Sequence, residues 1–239
     1  MSTAEEKSRL ESIGNSLQYS IGANGAMVDY SFKVAVRFMH GDSVLEMGPA
    51  EGVMTRLLAA TGKQLTVVEA SGAYCADLAQ RYPQAAVVHA LFEEFEPAQQ
   101  FDYIILGHVL EHVQDPVDIL RRAATWLKPQ GRMFAAVPNA RSLHRQGAVL
   151  MGLLPQEDAL NETDIRHGHR RVFNPESFRN AFLQAGLKVE MFGGYWIKPV
   201  SNKQIEDHWT PEMLDAFMQL GERYPDIAAE IYVLAALPA

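Results

Sequence analysis

Apolar and polar positions along the chain fall into short blocks that change period. Residues 43–47, 64–69, 85–90, 101–106 and 131–137 are brief, mostly apolar runs of the kind that form covered strands of a parallel sheet. Residues 53–61, 72–82, 116–126 and 175–185 between and after them carry helical spacing. Asp115-Pro116 and Asn174-Pro175 each set a capping side chain before a proline at the first helical position. Lys128-Pro129-Gln130-Gly131 reads as a turn leading into a strand. Further on, Thr210-Pro211-Glu212 opens a helix, and Lys188 to Phe192 and Glu230 to Leu237 read as the last strands. Before the first strand, Val28, Phe32, Ala35, Val36 and Met39 share one face of a helix predicted from about Gly25 to Met39, with Asn24 as its cap. Strands alternating with helices at this spacing predict an α/β, doubly wound, mostly parallel sheet.

One junction in that rhythm carries chemistry. Val44-Leu45-Glu46-Met47-Gly48-Pro49-Ala50-Glu51-Gly52 runs from a strand through a glycine turn into a helix N-terminus. Gly48 and Gly52 permit a sharp turn and a close ligand approach, and the free N–H groups of the next helix point at the same spot. A dinucleotide fingerprint needs three glycines around a pyrophosphate. Here Glu46 would repel a pyrophosphate and would accept hydrogen bonds from an ammonium group. The bland reading is a tight turn with no ligand. Against it stands Glu69, an acid at the end of the next strand and about twenty residues on, where a carboxylate takes ribose hydroxyls.

Glu46 to Gly52, Val67-Val68-Glu69, Phe101-Asp102-Tyr103-Ile104-Ile105 with His108-Val109-Leu110-Glu111-His112-Val113, and Leu127-Lys128-Pro129-Gln130-Gly131-Arg132 occur in that order. Together they resemble the class I S-adenosylmethionine-dependent methyltransferases over roughly residues 40–140. The resemblance implies a Rossmann-like, seven-stranded sheet whose last strand is antiparallel, in a single domain. Residues 1–40 would form an N-terminal helical cap, 41–138 the cofactor-binding core, 139–173 an acceptor-side lid and 174–239 the C-terminal helices and strands. It implies S-adenosyl-L-methionine as cofactor. Glu46, Gly48, Pro49, Ala50 and Gly52 would meet its methionine and ribose, Glu69 and the adjacent Ala70 the ribose hydroxyls, and Leu91, Phe92 and Glu93 the adenine. Gly107 and His108 would lie at the methionine end, with Tyr19 and Tyr30 as aromatic lining. Two departures stand out: Ala50, where many members have glycine, and the lack of an acid at Ala90 or Leu91. Whether the N-terminal helix closes over the cofactor or only packs on the sheet edge is left open.

Composition narrows the partners. The 239 residues hold 29 acids against 21 Lys and Arg, a formal charge of −8, which argues against sequence-independent nucleic-acid binding. Cys75 is the one cysteine, so no intramolecular disulfide forms, and a small buried side chain is the simple reading. The polar, acidic start is unlike a secretory signal. No apolar run reaches spanning length, and Val149-Leu150-Met151-Gly152-Leu153-Leu154 is too short to span. The expectation is a cytoplasmic enzyme with a small-molecule acceptor and no nucleic-acid or membrane partner; a homodimer is left open.

Methyl transfer from a sulfonium is an in-line displacement in which the protein mainly positions the acceptor, with a base wherever the acceptor is protonated. His108, one residue beyond the fourth strand, Asn139, directly after the fifth, and His169 are the candidate catalytic residues. His108 and His112 share a helical face but have no third ligand at obvious spacing, so no metal is expected, and His112 reads as structural. Residues 139–173 break the rhythm with three histidines (His144, His167, His169) and five arginines (Arg141, Arg145, Arg166, Arg170, Arg171). So long a connection reads as a lid, and its charge points to an anionic acceptor or, equally, to a salt-bridged anchor. Two rivals keep the same motifs: an enzyme that cyclises or transfers the aminocarboxypropyl arm, and a non-catalytic cofactor-binding partner protein. A nicotinamide dehydrogenase is disfavoured by Glu46 and the missing third glycine.

Overall fold

The structure is a computed structural model and describes Arg9 and residues 21–238. Tyr19 lies outside the described residues. In chain order the elements are α1 (Gly22–Ala35), β1 (Ser43–Met47), α2 (Val53–Ala59), β2 (Gln64–Glu69), α3 (Gly72–Arg81), β3 (Ala86–His89), β4 (Phe101–Gly107) and α4 (Pro116–Thr125). They continue with β5 (Leu127–Pro138), α5 (Leu143–Leu150), α6 (Glu162–Arg166), α7 (Pro175–Gln184), β6 (Lys188–Tyr195), α8 (Asn202–His208), α9 (Pro211–Arg223) and β7 (Glu230–Ala236).

The strands form one seven-stranded sheet in the order β3-β2-β1-β4-β5-β7-β6. β7 runs antiparallel to both of its neighbours, β5 and β6, and the other pairings are parallel. The order reverses between β1 and β4, which opens a crevice at the carboxyl ends of those two strands, where ligands bind in sheets of this kind. Alternate side chains of each strand feed two cores. Leu45, Met47, Ile104 and Leu106 pack with Ile119, Leu120, Phe178 and Phe182 of α4 and α7 on one face. Val44, Tyr103, Ile105 and Phe134 pack with Met27, Val34, Leu58 and Met218 on the other.

The caps at Asp115 and Asn174 form as expected, Asp115 accepting from the N–H groups of Val117 and Asp118 at 3.0 Å and Asn174 from that of Ser177 at 2.8 Å. The cap on α1 does not. The helix starts at Gly22, and Asn24 lies inside its first turn, accepting from the side-chain amide of Asn202 at 2.9 Å. Glu206 of α8 takes the free N–H of Ala23 instead, at 2.9 Å, so a distant carboxylate replaces the local cap. The turn read at 128–131 is a looped-out segment within β5, because Leu127 pairs with Phe101 and Arg132 with Tyr103. The pattern gave no sign of α5, α6 or α8. Among the described residues no helix is long and apolar enough to cross a membrane.

Candidate active site

The turn after β1 is built on left-handed backbone. Gly48 and Gly52 have φ of +65° and +78°, and Ala50 sits at +47°, where its methyl group costs about 1–2 kcal/mol. The Gly48 N–H donates to the Val68 carbonyl (2.9 Å) and Gly52 N–H to that of Pro49 (2.9 Å), which closes the loop tightly. Glu69, at the end of β2, accepts from the N–H groups of Ser71 at 2.8 Å and Ala50 at 3.3 Å, so the expected ribose ligand is pinned directly beneath the glycine turn. Ala70 follows it, half-buried, its carbonyl 3.0 Å from Nε2 of His89. The ring of Phe92 stands so near Gly48 that a Cβ there would lie 3.3 Å from it, while Leu91 is buried and Glu93 exposed.

Glu46 is 2 % exposed and accepts from the Thr55 hydroxyl at 2.7 Å. Burial pushes its carboxyl up to about 8, with the charge of Glu69 acting in the same direction and the Thr55 bond against it. A cleft lined by Glu46, Gly48, Pro49, Ala50, Gly107 and His108 is covered by Val28 and Ser31 of α1. The N-terminal helix therefore reaches the site and does not merely pack on the sheet edge. Tyr30 does not line it: its ring is buried 5.7 Å from that of Tyr195 and its hydroxyl donates to Glu222. The hydroxyl expected at the methionine end is taken up by a structural bond.

Across the cleft, β4 ends at Gly107 and the chain reverses at His108, a non-glycine residue with φ +57°. Its N–H donates to the Ala136 carbonyl at 2.9 Å. His108 Nδ1 lies 3.4 Å from Oε1 of Glu111 and 3.8 Å from Oε2 of Glu230, at the start of β7. Burial opposes the charged imidazole, but these carboxylates outweigh it and raise the His108 pKa above the ordinary value. Burial alone would raise Glu111; the three imidazoles around it hold it down at about 2. His112 is pushed down to about 4, chiefly by burial.

Among the described residues, His108 Nε2, Glu111 Oε2 and His144 Nδ1 are buried without a hydrogen-bond partner, while Glu111 Oε1, Glu230 Oε2 and His169 Nδ1 have only longer contacts with neighbouring charged groups. Buried polar groups are costly unless water or a ligand completes their bonding. Glu111, 1 % exposed, is the centre of this group. Glu230 and His144 were not among the predicted site residues, and no motif in the sequence points to them.

His169 arrives in this cluster from the long segment. Its ring packs edge-on against His112, centroids 4.8 Å apart, and its Nδ1 lies 3.3 Å from Oδ1 of Asp164. Ligand atoms of Glu111, His112 and His169 lie within 4.8 Å of one another, so a third candidate ligand, out of reach of any local spacing, does meet the other two. The set is wide for an ion, since ligands of a tetrahedral zinc sit roughly 3.4 Å apart.

Asn139 is a correction. Its side-chain amide donates to the carbonyls of Asp226 (3.0 Å) and Ala228 (2.8 Å), and its oxygen accepts from the Arg141 N–H at 2.9 Å. Every polar atom is bound to backbone, so it locks the exit of β5 and cannot face an acceptor. The arginines are occupied in the same manner. Arg171 bonds the carbonyls of Leu110, Val113 and Gln114, Arg170 that of His112, Arg141 the carboxylate of Glu176, and Arg145 is buried on Asp164. They read as anchors.

The family model described as a methyltransferase domain matches residues 25–191. The chain belongs to the class I S-adenosylmethionine-dependent methyltransferases. It is 25 % identical over 180 residues to the ubiquinone biosynthesis O-methyltransferase of Aeromonas salmonicida, covering 69 % of this chain and 71 % of that protein. It is 28 % identical over 182 residues to the protein of that name from Xanthomonas axonopodis pv. citri, covering 68 % and 70 %. A solved S-adenosylmethionine-dependent methyltransferase from Mesorhizobium loti superposes with a TM-score of 0.63 at 16 % identity, covering 87 % of this chain and 99 % of that one, a likeness of fold. The methyltransferase therefore has the doubly wound sheet that the alternation of its strands and helices predicts.

Proposed function

We propose that this methyltransferase transfers the methyl group of S-adenosylmethionine to a hydroxyl oxygen of a small-molecule acceptor, with His108 as the base. The observation that carries the reading is His108 itself. It lines the cofactor cleft, its Nε2 has no partner, and its Nδ1 is held between two carboxylates. An imidazole so placed accepts a proton more readily than a free one. The acceptor O–H proton would pass to Nε2 of His108, and a donor held by the glycine turn and Glu69 would supply an activated methyl group, its C–S bond electrons staying on sulfur as the oxygen lone pair takes the methyl carbon. S-adenosylhomocysteine is the product.

Support for oxygen as the acceptor atom comes from the relatives named as O-methyltransferases. His169, packed behind His112, we assign to supporting this carboxylate–imidazole cluster, with the base placed at His108. Residues 139–173 form a fixed cover over the acceptor. Its ends are tied by Ala140 N–H to the Phe173 carbonyl at 2.7 Å, and its body by Arg170 N–H to the Glu111 carbonyl at 2.8 Å. We place the enzyme in the cytoplasm.

The test is product analysis with radiolabelled methyl donor and a panel of phenols, catechols and amines. Methylated hydroxyls with stoichiometric S-adenosylhomocysteine are expected. Label in amines alone, or release of methylthioadenosine, overturns the assignment.

A further inference from the structure

The methyl donor carries an ammonium group on its methionine arm, and a carboxylate that takes it must be both aimed and charged. Alternation along β1 sends Leu45 and Met47 to one face of the sheet, and Val44 and Glu46 to the face covered by α1 and α2. β2 and β4 pair with β1 on its two sides, with Val67 and Ile105 opposite Glu46, so the backbone of Glu46 is fixed from both directions. Its carboxylate is fixed by Thr55, which is in the first turn of α2 and fully buried. The Thr55 hydroxyl donates to Oε2 of Glu46 at 2.7 Å. Among the described residues Oε1 makes no hydrogen bond, and Glu46 lines the cleft together with Gly48, Ala50 and Gly107.

A helical threonine commonly returns its hydroxyl to the carbonyl three or four residues back, here Gly52 or Glu51. Those carbonyls accept from elsewhere: Glu51 from Nη2 of Arg81 at 2.6 Å and Gly52 from the Arg56 N–H at 3.0 Å. The Thr55 hydroxyl crosses to the strand instead. The turn keeps it close, since a Cβ at Gly52 would lie 3.5 Å from Thr55 Oγ1. A hydroxyl donated to a carboxylate has two effects. It restrains rotation of the group, so that one oxygen is held and the other is left for a ligand. It also favours the charged form, and at Glu46 the Thr55 bond acts against the upward push of burial and of Glu69.

We propose that Thr55 is a positioning residue of the methyl-donor site: its hydroxyl holds Oε2 of Glu46 so that Oε1 is left for the ammonium group of the donor's methionine arm. The inference rests on the reading of Glu46 as the acceptor of that ammonium, and it adds the residue that aims it. Discrimination among nucleosides follows. Those with an α-amino group on the sulfur-linked arm are favoured by the Thr55–Glu46 pair, and those whose arm lacks the amino group are indifferent to it.

The experiment is calorimetry with two ligands, S-adenosylhomocysteine and its analogue with hydrogen in place of the α-amino group. Neither can transfer a methyl group, so binding is read without turnover. In the parent the amino group should raise affinity by about tenfold or more, the size of a charge-assisted bond. Thr55→Val keeps the shape and removes the hydroxyl; it should weaken S-adenosylhomocysteine by about tenfold and leave the deamino analogue within about twofold. Thr55→Ser should restore the parent's discrimination. Thr55→Ala should behave as Thr55→Val does, and it answers the same question where the valine is not tolerated in the fold. An equal loss for both ligands in the folded variants overturns the assignment, because a bond that only supports the turn serves every ligand alike. Parental discrimination that persists in Thr55→Val and Thr55→Ala overturns it too, and leaves the reading of Glu46 standing. A parent that binds both ligands equally well marks failure of that reading, and the inference falls with it.

Discussion

The turn after β1 and the cluster beyond β4 share one edge of the sheet, yet they are built in opposite ways. The proposed donor side is satisfied within itself. Glu69 accepts from Ala50 and Ser71, Glu46 from Thr55, and the glycine turn closes on its own carbonyls. The proposed acceptor side is less complete. Among the described residues, Glu111, Glu230, His108, His144 and His169 all carry buried polar atoms that make no hydrogen bond. A site for an invariable ligand can be preformed down to its hydrogen bonds, whereas orphaned groups tolerated at a cost point to a ligand that must be both bound and changed. The two halves also differ in how the chain assembles them. The turn and its carboxylates lie within residues 46–69, while the cluster beyond β4 draws on residues 108, 111, 144, 169 and 230.

If the two halves are separable, substitutions should divide cleanly between turnover and donor affinity. The largest effect is expected at His108. His108→Ala should lower turnover by roughly 100- to 10,000-fold with donor affinity kept, as read by single-turnover kinetics beside calorimetry. With His108 as the proposed base, the neutral imidazole would be the active form; its pKa is raised by Glu230 and Glu111, so the rate should rise with pH through a value above that of a free histidine. Glu230→Gln removes one of those charges and should move the rise to lower pH. A rise unmoved in that variant would take His108 out of the titration.

Glu69→Ala should do the reverse, weakening donor binding by about tenfold or more, since a charge-assisted hydrogen bond contributes roughly 1.5–3 kcal/mol, with the acceptor's KM unmoved. An unaltered donor Kd would show that Glu69 serves only the turn. Asn139→Ala should touch neither half. Losing its bonds to the backbone should lower stability by about 1–3 kcal/mol, measured by denaturant unfolding, while the folded fraction keeps normal turnover. A specific loss of turnover at full stability would restore Asn139 to the chemistry.

The smallest effect concerns Glu46. Its pKa in the free protein is raised to about 8 by burial. The sign follows from linkage: the stability tied to its neutral form is complete below the unfolded carboxylate pKa and is lost as pH rises through about 8. A cationic donor favours the ionised form, so donor affinity should increase a few-fold with pH up to about 8 and level off there. Glu46→Gln should flatten that dependence; an equally steep profile in the variant would assign it to another group.

Much of the donor half was legible because its determinants are local. A glycine at φ +65° and an acid at a strand end leave a signature in consecutive residues, and Gly48, Gly52 and Glu69 stand together as expected. The acceptor half shows what local reading misses. His108 was a candidate because it directly follows a strand, and the fold sets it on the cleft. Asn139 occupied an equally promising position, but whether its amide faces a ligand or the backbone depends on Asp226 and Ala228, far along the chain. The basic residues of 139–173 misled for the same reason: charge is visible in a sequence, and the carbonyls that neutralise it are not.

By itself the sequence determined the alternation of strands and helices, the parallel sheet, the glycine turn and its two acids, since period and spacing act over a few residues. Tertiary structure alone decided that Glu206 caps α1 and that Glu230 stands against His108. The physical reason is that burial and pairing are properties of neighbours in space. A side chain's charge state and its free bonds are set by what the fold brings against it, and β7, which returns antiparallel between β5 and β6, brings Glu230 to the carboxyl edge.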